Sequence, residues 1–379
     1  MLRIPALLGR ALLSLSCLWL GAAAVPRQVV GRDADAWFVD DEPTANALGQ
    51  SVAAALGTGI TTAQFHTGSR RFDGEWVLGT HQMAALGLAQ LVHAHPELHA
   101  RYLPAIEIAV ERLLDDDTYG FATEAWGTGP WQSLEADAGH GYLGYVALAL
   151  GALRELDPGT KYAAQHDRLI DALVRRIEAH PRGMVQTYPG EAYPCDIAAI
   201  VGAIAQHGRI TAVDRSALVQ RMAAVYREHW IDPASGYLVQ SLRVHDGGWL
   251  DAPRASGTAL AGYFWSFADR SLTDQLDRAL LGEGSSTLFG FHGIREYAPG
   301  HAGHGDIDSG PVLLGVSVSA TGFTLSAARR QDDRENFVGL YRSAVLFGVP
   351  LHREGRTRFL TGGPLGNAIM LAMLTARRS

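Results

Sequence analysis

Cys195-Asp196-Ile197-Ala198-Ala199-Ile200-Val201-Gly202-Ala203-Ile204-Ala205-Gln206 is apolar on nearly every side and rich in small residues. A helix of this kind is buried all round. Comparable segments rich in Gly, Ala and Ser begin near Trp76, Asp137, Cys195, Ser256, Ser309 and Leu365. The starts fall roughly 55–60 residues apart, a spacing that marks a repeat architecture. Between successive segments lies a second helix with a more charged face. Six such hairpins closing on themselves predict an all-α (α/α)6 toroid. Its inner helices run parallel, so their N-termini converge at one mouth, and chemistry is expected there. An open solenoid of helix pairs is the competing architecture. The small-residue inner helices and the six pairs favour closure.

Working outward, residues 43–56 read as helical, with Asp41 or Thr44 near the cap. Residues 76–92 and 137–156 read as inner helices, and 98–114 and 161–179 as outer ones. In the first outer helix Ile106, Val110 and Leu113 share one face; in the second, Leu169, Ile170, Leu173, Val174 and Ile177 do. Residues 115–136 form a long loop bearing Tyr119, Phe121, Glu124, Trp126 and Trp131, and such loops are often functional. Residues 236–243 alternate like a strand. Inner helices at 195–206 and 256–268 alternate with outer ones at 215–230 and 272–281. Residues 288–297 and a Gly/His-rich loop to Gly310 lead into a fifth inner helix, 334–347 is outer, and 365–376 closes the ring.

The chain has 379 residues, 47% hydrophobic and 19% charged, with a formal net charge of −7. This is ordinary globular composition without a basic nucleic-acid footprint. The N-terminus reads as an export signal over residues 1–24: Arg3 and Arg10 are basic, 11–21 is apolar, and Ala22-Ala23-Ala24 offers an A-x-A site before Val25. Residues 25–379 then form a single toroid in the periplasm or outside the cell. Membrane contact is expected only if the first segment stays uncleaved. Cys17 fits a lipoprotein site poorly. Residues 311–328 carry five Ser/Thr and two Gly, too polar to span. Cleavage leaves Cys195 as a lone thiol in an exported protein.

The candidate site residues cluster at the helix starts, where free N–H groups and the helix dipole favour negative charge. A thiol at a helix N-terminus has its thiolate favoured, which makes Cys195 a candidate nucleophile or acid; a buried packing cysteine is the alternative. Asp196 suits a helix cap or a catalytic carboxylate. His140, between Gly139 and Gly141 in a first helical turn, suits acid/base work or a polar core contact. Asp137 reads as a cap. Of Asp73 and Glu75, one is expected to be catalytic and the other to cap. His301, His304, Asp306 and Asp308 lack a recognised metal spacing, so no metal or other cofactor is expected, and Asp308 reads as the cap of the fifth inner helix. Trp76, Trp126, Trp131, Tyr188 and Tyr193, with Glu75, Glu124, Asp306 and Asp308, are expected to bind substrate.

Phe72, Asp73 and Trp76, the loop with Trp126 and Trp131, Gly139-His140, and the step Pro194-Cys195-Asp196 together resemble the linalool dehydratase-isomerase family, over about residues 70–210. The resemblance implies an exported (α/α)6 barrel acting without cofactor on a small isoprenoid alcohol. It matches Asp73, His140 and Cys195 to the family's Asp, His and one of its two Cys; Gln186 and Thr187 stand where the other would fall. Two readings follow. In the first the protein is a lyase or isomerase, in which Cys195 and His140 move protons and Asp73 or Asp196 polarises a hydroxyl. In the second it is a carbohydrate-active hydrolase, lyase or epimerase. There, two of Asp73, Glu75, Glu124, Asp196, Asp306 and Asp308 act as paired carboxylates and the tryptophans stack on sugar rings. The expected partner is a small molecule or a glycan. A binding protein on an enzyme fold is a third possibility.

Overall fold

A computed structural model describes residues 4–136 and 139–377. Its helices, in chain order, are α1 (Ile4–Val29), α2 (Ala34–Phe38), α3 (Glu42–Thr58), α4 (Arg70–Ala94), α5 (His99–Leu114), α6 (Gly120–Trp126), α7 (Leu143–Leu156) and α8 (Ala163–Glu178). Then follow α9 (Pro194–Thr211), α10 (Ser216–Val225), α11 (Ala255–Trp265), α12 (Arg270–Leu281), α13 (Val318–Arg330), α14 (Arg334–Gly348) and α15 (Gly363–Leu374).

Six of these form a closed ring. Helix α4 packs on α7, α7 on α9, α9 on α11, α11 on α13, α13 on α15, and α15 returns to α4. Small residues permit this spacing. A Cβ on Gly144 of α7 would lie 2.6 Å from the Ile200 nitrogen of α9, and one on Gly87 of α4 would lie 2.8 Å from the Ala372 nitrogen of α15. These two glycines let backbones touch at a typical joint and at the closing joint. The outer helices α3, α5, α8, α10, α12 and α14 lie against the inner ring. Their amphipathic pattern explains the placement: α12 buries Leu272, Leu276 and Leu280 on one face, each worth about 1.5–3 kcal/mol of burial. The closed (α/α)6 toroid expected from the repeat is the observed fold.

Short strands connect the helices. Strand β1 (Glu191–Ala192) pairs antiparallel with β2 (Leu242–Arg243), in the region expected to be extended. A four-stranded antiparallel sheet contains β3 (Ser285–Leu288), β4 (Phe291–Arg295), β5 (Val312–Leu313) and β6 (Val316–Ser317), in the order β3-β4-β6-β5. Strands β7 (Pro350–Arg353) and β8 (Arg356–Phe359) make a hairpin between α14 and α15.

Several expected boundaries move. Helix α4 starts at Arg70 behind a Ser69 cap, so Asp73 and Glu75 lie inside its first two turns rather than ahead of it. Helix α7 starts at Leu143, and His140 sits in the loop before it. Gly139 (φ 89°) and His140 (φ 51°) are both left-handed, a conformation that cannot continue a right-handed helix. Asp137, read as a cap, lies outside the described residues. The fifth inner helix begins at Val318, because residues 312–317 pair as β5 and β6. Its cap is Ser317, whose hydroxyl accepts from the Ala320 N–H at 3.0 Å, and not Asp308. The 115–136 loop contains the short helix α6, about two turns long.

At the N-terminus, Leu12, Leu13, Leu15, Leu18 and Trp19 of α1 are exposed. The stretch Leu12–Val29 is long and apolar enough to cross a membrane, and an apolar N-terminal helix fits an export signal.

Candidate active site

The N-terminal halves of the inner helices enclose a cavity of about 730 Å³. It is lined by the starts of α4, α9, α11, α13 and α15, by Tyr142 and Tyr145 at α7, and by the loops around Tyr188 and Asp306. Parallel inner helices explain this convergence.

Three of the carboxyl groups lining it, Glu75, Asp196 and Asp308, hold their protons more tightly than usual. Glu75, on the second turn of α4, accepts a hydrogen bond from the Tyr188 hydroxyl. Burial, reinforced by the charges of Asp308 and Asp196, outweighs that bond and the nearby Arg71, and pushes the carboxyl up to about 8. Asp196, in the first turn of α9, is 7% exposed. It accepts from the Tyr145 and Thr187 hydroxyls and, at 3.5 Å, from the Cys195 thiol. Burial still holds its carboxyl above the ordinary aspartate value against these three donors. Asp308 opens onto the cavity's solvent, yet the protein mass around it and the charges of Asp306 and Asp196 push it up to about 6.

Arg254, just ahead of α11, orders the loop that carries Asp308. It is 2% exposed and pairs with Asp306, while its Nε lies 3.4 Å from buried Glu296. Asp306 in turn accepts from the Ser309 N–H at 2.9 Å and donates its own N–H to the Ser309 hydroxyl at 2.8 Å.

Of the residues expected at the site, Glu75, Trp76, Tyr188, Tyr193, Cys195, Asp196, Asp306 and Asp308 line the cavity. Five others do not. Asp73 accepts from the Thr67 N–H and hydroxyl, which fastens the loop before α4 and holds its carboxyl below the usual range. His140 stands behind Tyr142, its Nδ1 against the Tyr142 hydroxyl and its ring against Trp126; burial and the Arg176 charge push it down to about 4. The indole of Trp126 donates to the Thr187 carbonyl at 3.0 Å, and Trp131 packs edge-on against Tyr119. Glu124 is exposed on α6. Cys195 lines the cavity but departs from expectation in its chemistry. Burial and the adjacent Asp196 charge push its thiol up, overriding the helix N-terminus, so a thiolate is disfavoured.

Sequence reasoning passed over Tyr145, Thr187 and Arg254. Tyr145 offered one signal, a phenol on the first turn of an otherwise apolar inner helix. His301 and His304 are exposed, and among the described residues no group of three or more His, Cys, Asp or Glu side chains is arranged to hold a metal.

No family model matches the sequence, and comparison with curated proteins gives no match. Solved structures do match. The Lin0763 protein from Listeria innocua is 13% identical, covers 90% of this chain and 96% of its own, with a TM-score of 0.52. The α-1,6-mannanase GH76A of Salegentibacter sp. HEL1_6, solved as an inactive variant with α-1,6-mannotriose, is 11% identical over 90% of this chain and 98% of its own, with a TM-score of 0.51. At such identities the likeness is one of fold. It overturns the resemblance to linalool dehydratase-isomerase, since an α-1,6-mannanase is among the toroids that match. The geometry agrees: of Asp73, His140 and Cys195, which carried that resemblance, only Cys195 reaches the cavity.

Proposed function

We propose that this protein is an exported glycoside hydrolase, periplasmic or secreted, with Glu75 as general acid and Asp308 as general base. The observation that carries this reading is that Glu75, Asp196 and Asp308 line one cavity, where burial pushes Glu75 up to about 8 and Asp308 up to about 6. Near pH 7 the first is mostly protonated and the second mostly ionised. Groups whose environments drive their protonation apart are suited to acid and base roles in one reaction. In hydrolysis Glu75 gives its proton to the glycosidic oxygen as the C–O bond breaks, and Asp308 takes a proton from the attacking water. Asp196, held by Tyr145, Thr187 and Cys195, adds negative charge facing a developing oxocarbenium ion. Trp76 and Tyr193 supply aromatic faces for sugar rings. The α-1,6-mannotriose in complex with the Salegentibacter enzyme gives a toroid of this kind a glycan precedent and makes α-mannosides sensible first substrates.

The test is chromatography of oligosaccharide digests by the wild type, Glu75→Gln and Asp308→Asn. Release of shorter sugars by the wild type and its loss in both variants, with binding retained, is the expected result. Unchanged turnover in both variants sinks the assignment.

A further inference from the structure

The cavity has two unlike walls. Glu75, Tyr188, Asp196 and Asp308 belong to the wall built from the α4 and α9 starts and the neighbouring loops. The lining residues contributed by 318–370 include no charged side chain. Their bulk comes from Phe323 of α13, Phe347 of α14, Phe359 of β8, and Leu365, Ile369 and Met370 of α15. In the ring order α15 stands opposite α9 and beside α4, so the apolar wall faces Asp196 and adjoins Glu75.

An oligosaccharide filling this space would press ring hydroxyls against Phe347, Phe359 and Ile369 and give up water without replacement partners. An apolar chain is stabilised in the same place. The apolar character also continues through the wall to the outside. Leu346, Val349, Leu351 and Leu360 are between 43% and 55% exposed; Leu346 and Val349 flank the cavity-facing Phe347 and Gly348, and Leu360 follows the cavity-facing Phe359. The Leu360 N–H donates to the Gly348 carbonyl at 2.9 Å, which ties β8 to the end of α14 and brings the two runs together. Grouped exposed apolar residues of this kind mark contact with an apolar partner.

We infer that the substrate is a sugar carried on an apolar chain, with the sugar at Glu75 and Asp308 and the chain along Phe347, Phe359 and Ile369. This rests on the carbohydrate reading above and adds the class of the aglycone. Calorimetric titration of the protein, purified as the cell exports it, tests the idea. The ligands are butyl and octyl glycosides of mannose, glucose, galactose and N-acetylglucosamine, below micelle-forming concentrations, with octan-1-ol as the sugar-free control. At least one octyl glycoside is expected to bind about tenfold or more tighter than its butyl counterpart. Ile369→Asn is expected to flatten that dependence. Equal affinity of butyl and octyl glycosides overturns the inference and leaves the carbohydrate reading standing. Octanol binding as tightly as every octyl glycoside shows that the sugar contributes nothing and overturns both. Binding of none of the glycosides overturns the inference as well.

Discussion

Tyr188 donates its phenolic hydrogen bond to Glu75, joining the loop ahead of α9 to the second turn of α4. That bond favours the ionised carboxylate and opposes the burial that raises its proton affinity. Tyr188→Phe removes it, so the Glu75 carboxyl rises above about 8. A reaction that needs protonated Glu75 loses rate as pH climbs through that value. The alkaline limb of the kcat/KM profile is therefore expected to move upward in Tyr188→Phe, and an unmoved limb would separate Glu75 from the acid role.

The same carboxyl links stability to pH. Its folded value of about 8 lies above its ordinary 4.5, so the folded state holds the proton more tightly. The stability this contributes is full below 4.5 and disappears as pH rises through 8. Glu75→Gln is neutral throughout. Urea midpoints of the two proteins are expected to lie close together at pH 4.5 and to diverge toward pH 8, the variant becoming more stable by on the order of a few kcal/mol. A constant offset across this range would mean that Glu75 titrates normally.

The ring was legible because its signal is repeated: small-residue segments at a steady interval report inner helices irrespective of what surrounds them. Glu75 and Asp196 were legible for a related reason, since parallel inner helices bring their starts together. The loops were harder to read. Two-residue strands such as β5 and β6 carry no periodicity, so Asp308 looked like a cap for a helix that begins at Val318. Trp126 and Trp131 looked like sugar platforms because a sequence does not reveal that one indole is committed to Thr187 and the other to Tyr119. The choice between a reactive and a packing Cys195 stayed open because the helix dipole is a local property, while burial and the proximity of Asp196 are tertiary ones.

Cys195 provides a direct contrast between thiol and carboxylate chemistry. Its thiol donates to Asp196 at 3.5 Å and is held protonated by burial. Cys195→Ala removes one of three donors to Asp196 and opens a small gap. Turnover is expected to fall less than about tenfold, the scale of one modest hydrogen bond, and the folded wild type is expected to resist alkylation by iodoacetamide near neutral pH. Rapid labelling with complete loss of turnover would return the thiol to the mechanism.

Arg254 is the residue through which the site depends most on burial. At 2% exposed it holds Asp306 and sits 3.4 Å from Glu296, which is itself fully buried. Arg254→Met keeps much of the volume but leaves Glu296 with the Ser256 hydroxyl, 2.6 Å away, and the Ser317 hydroxyl, with no cation beside it, and releases the loop that positions Asp308. Breaking a buried pair from one side costs about 3–5 kcal/mol. Most of that cost belongs to the stranded charge, so adding Glu296→Gln is expected to recover a large part of the stability. The Asp306 loop stays unanchored in the double variant, and its activity is expected to remain low. Urea unfolding and turnover measured on the same three proteins separate the two contributions. Recovery of activity together with stability would mean that Arg254 serves the fold alone and that the Asp306 loop holds Asp308 in place without it.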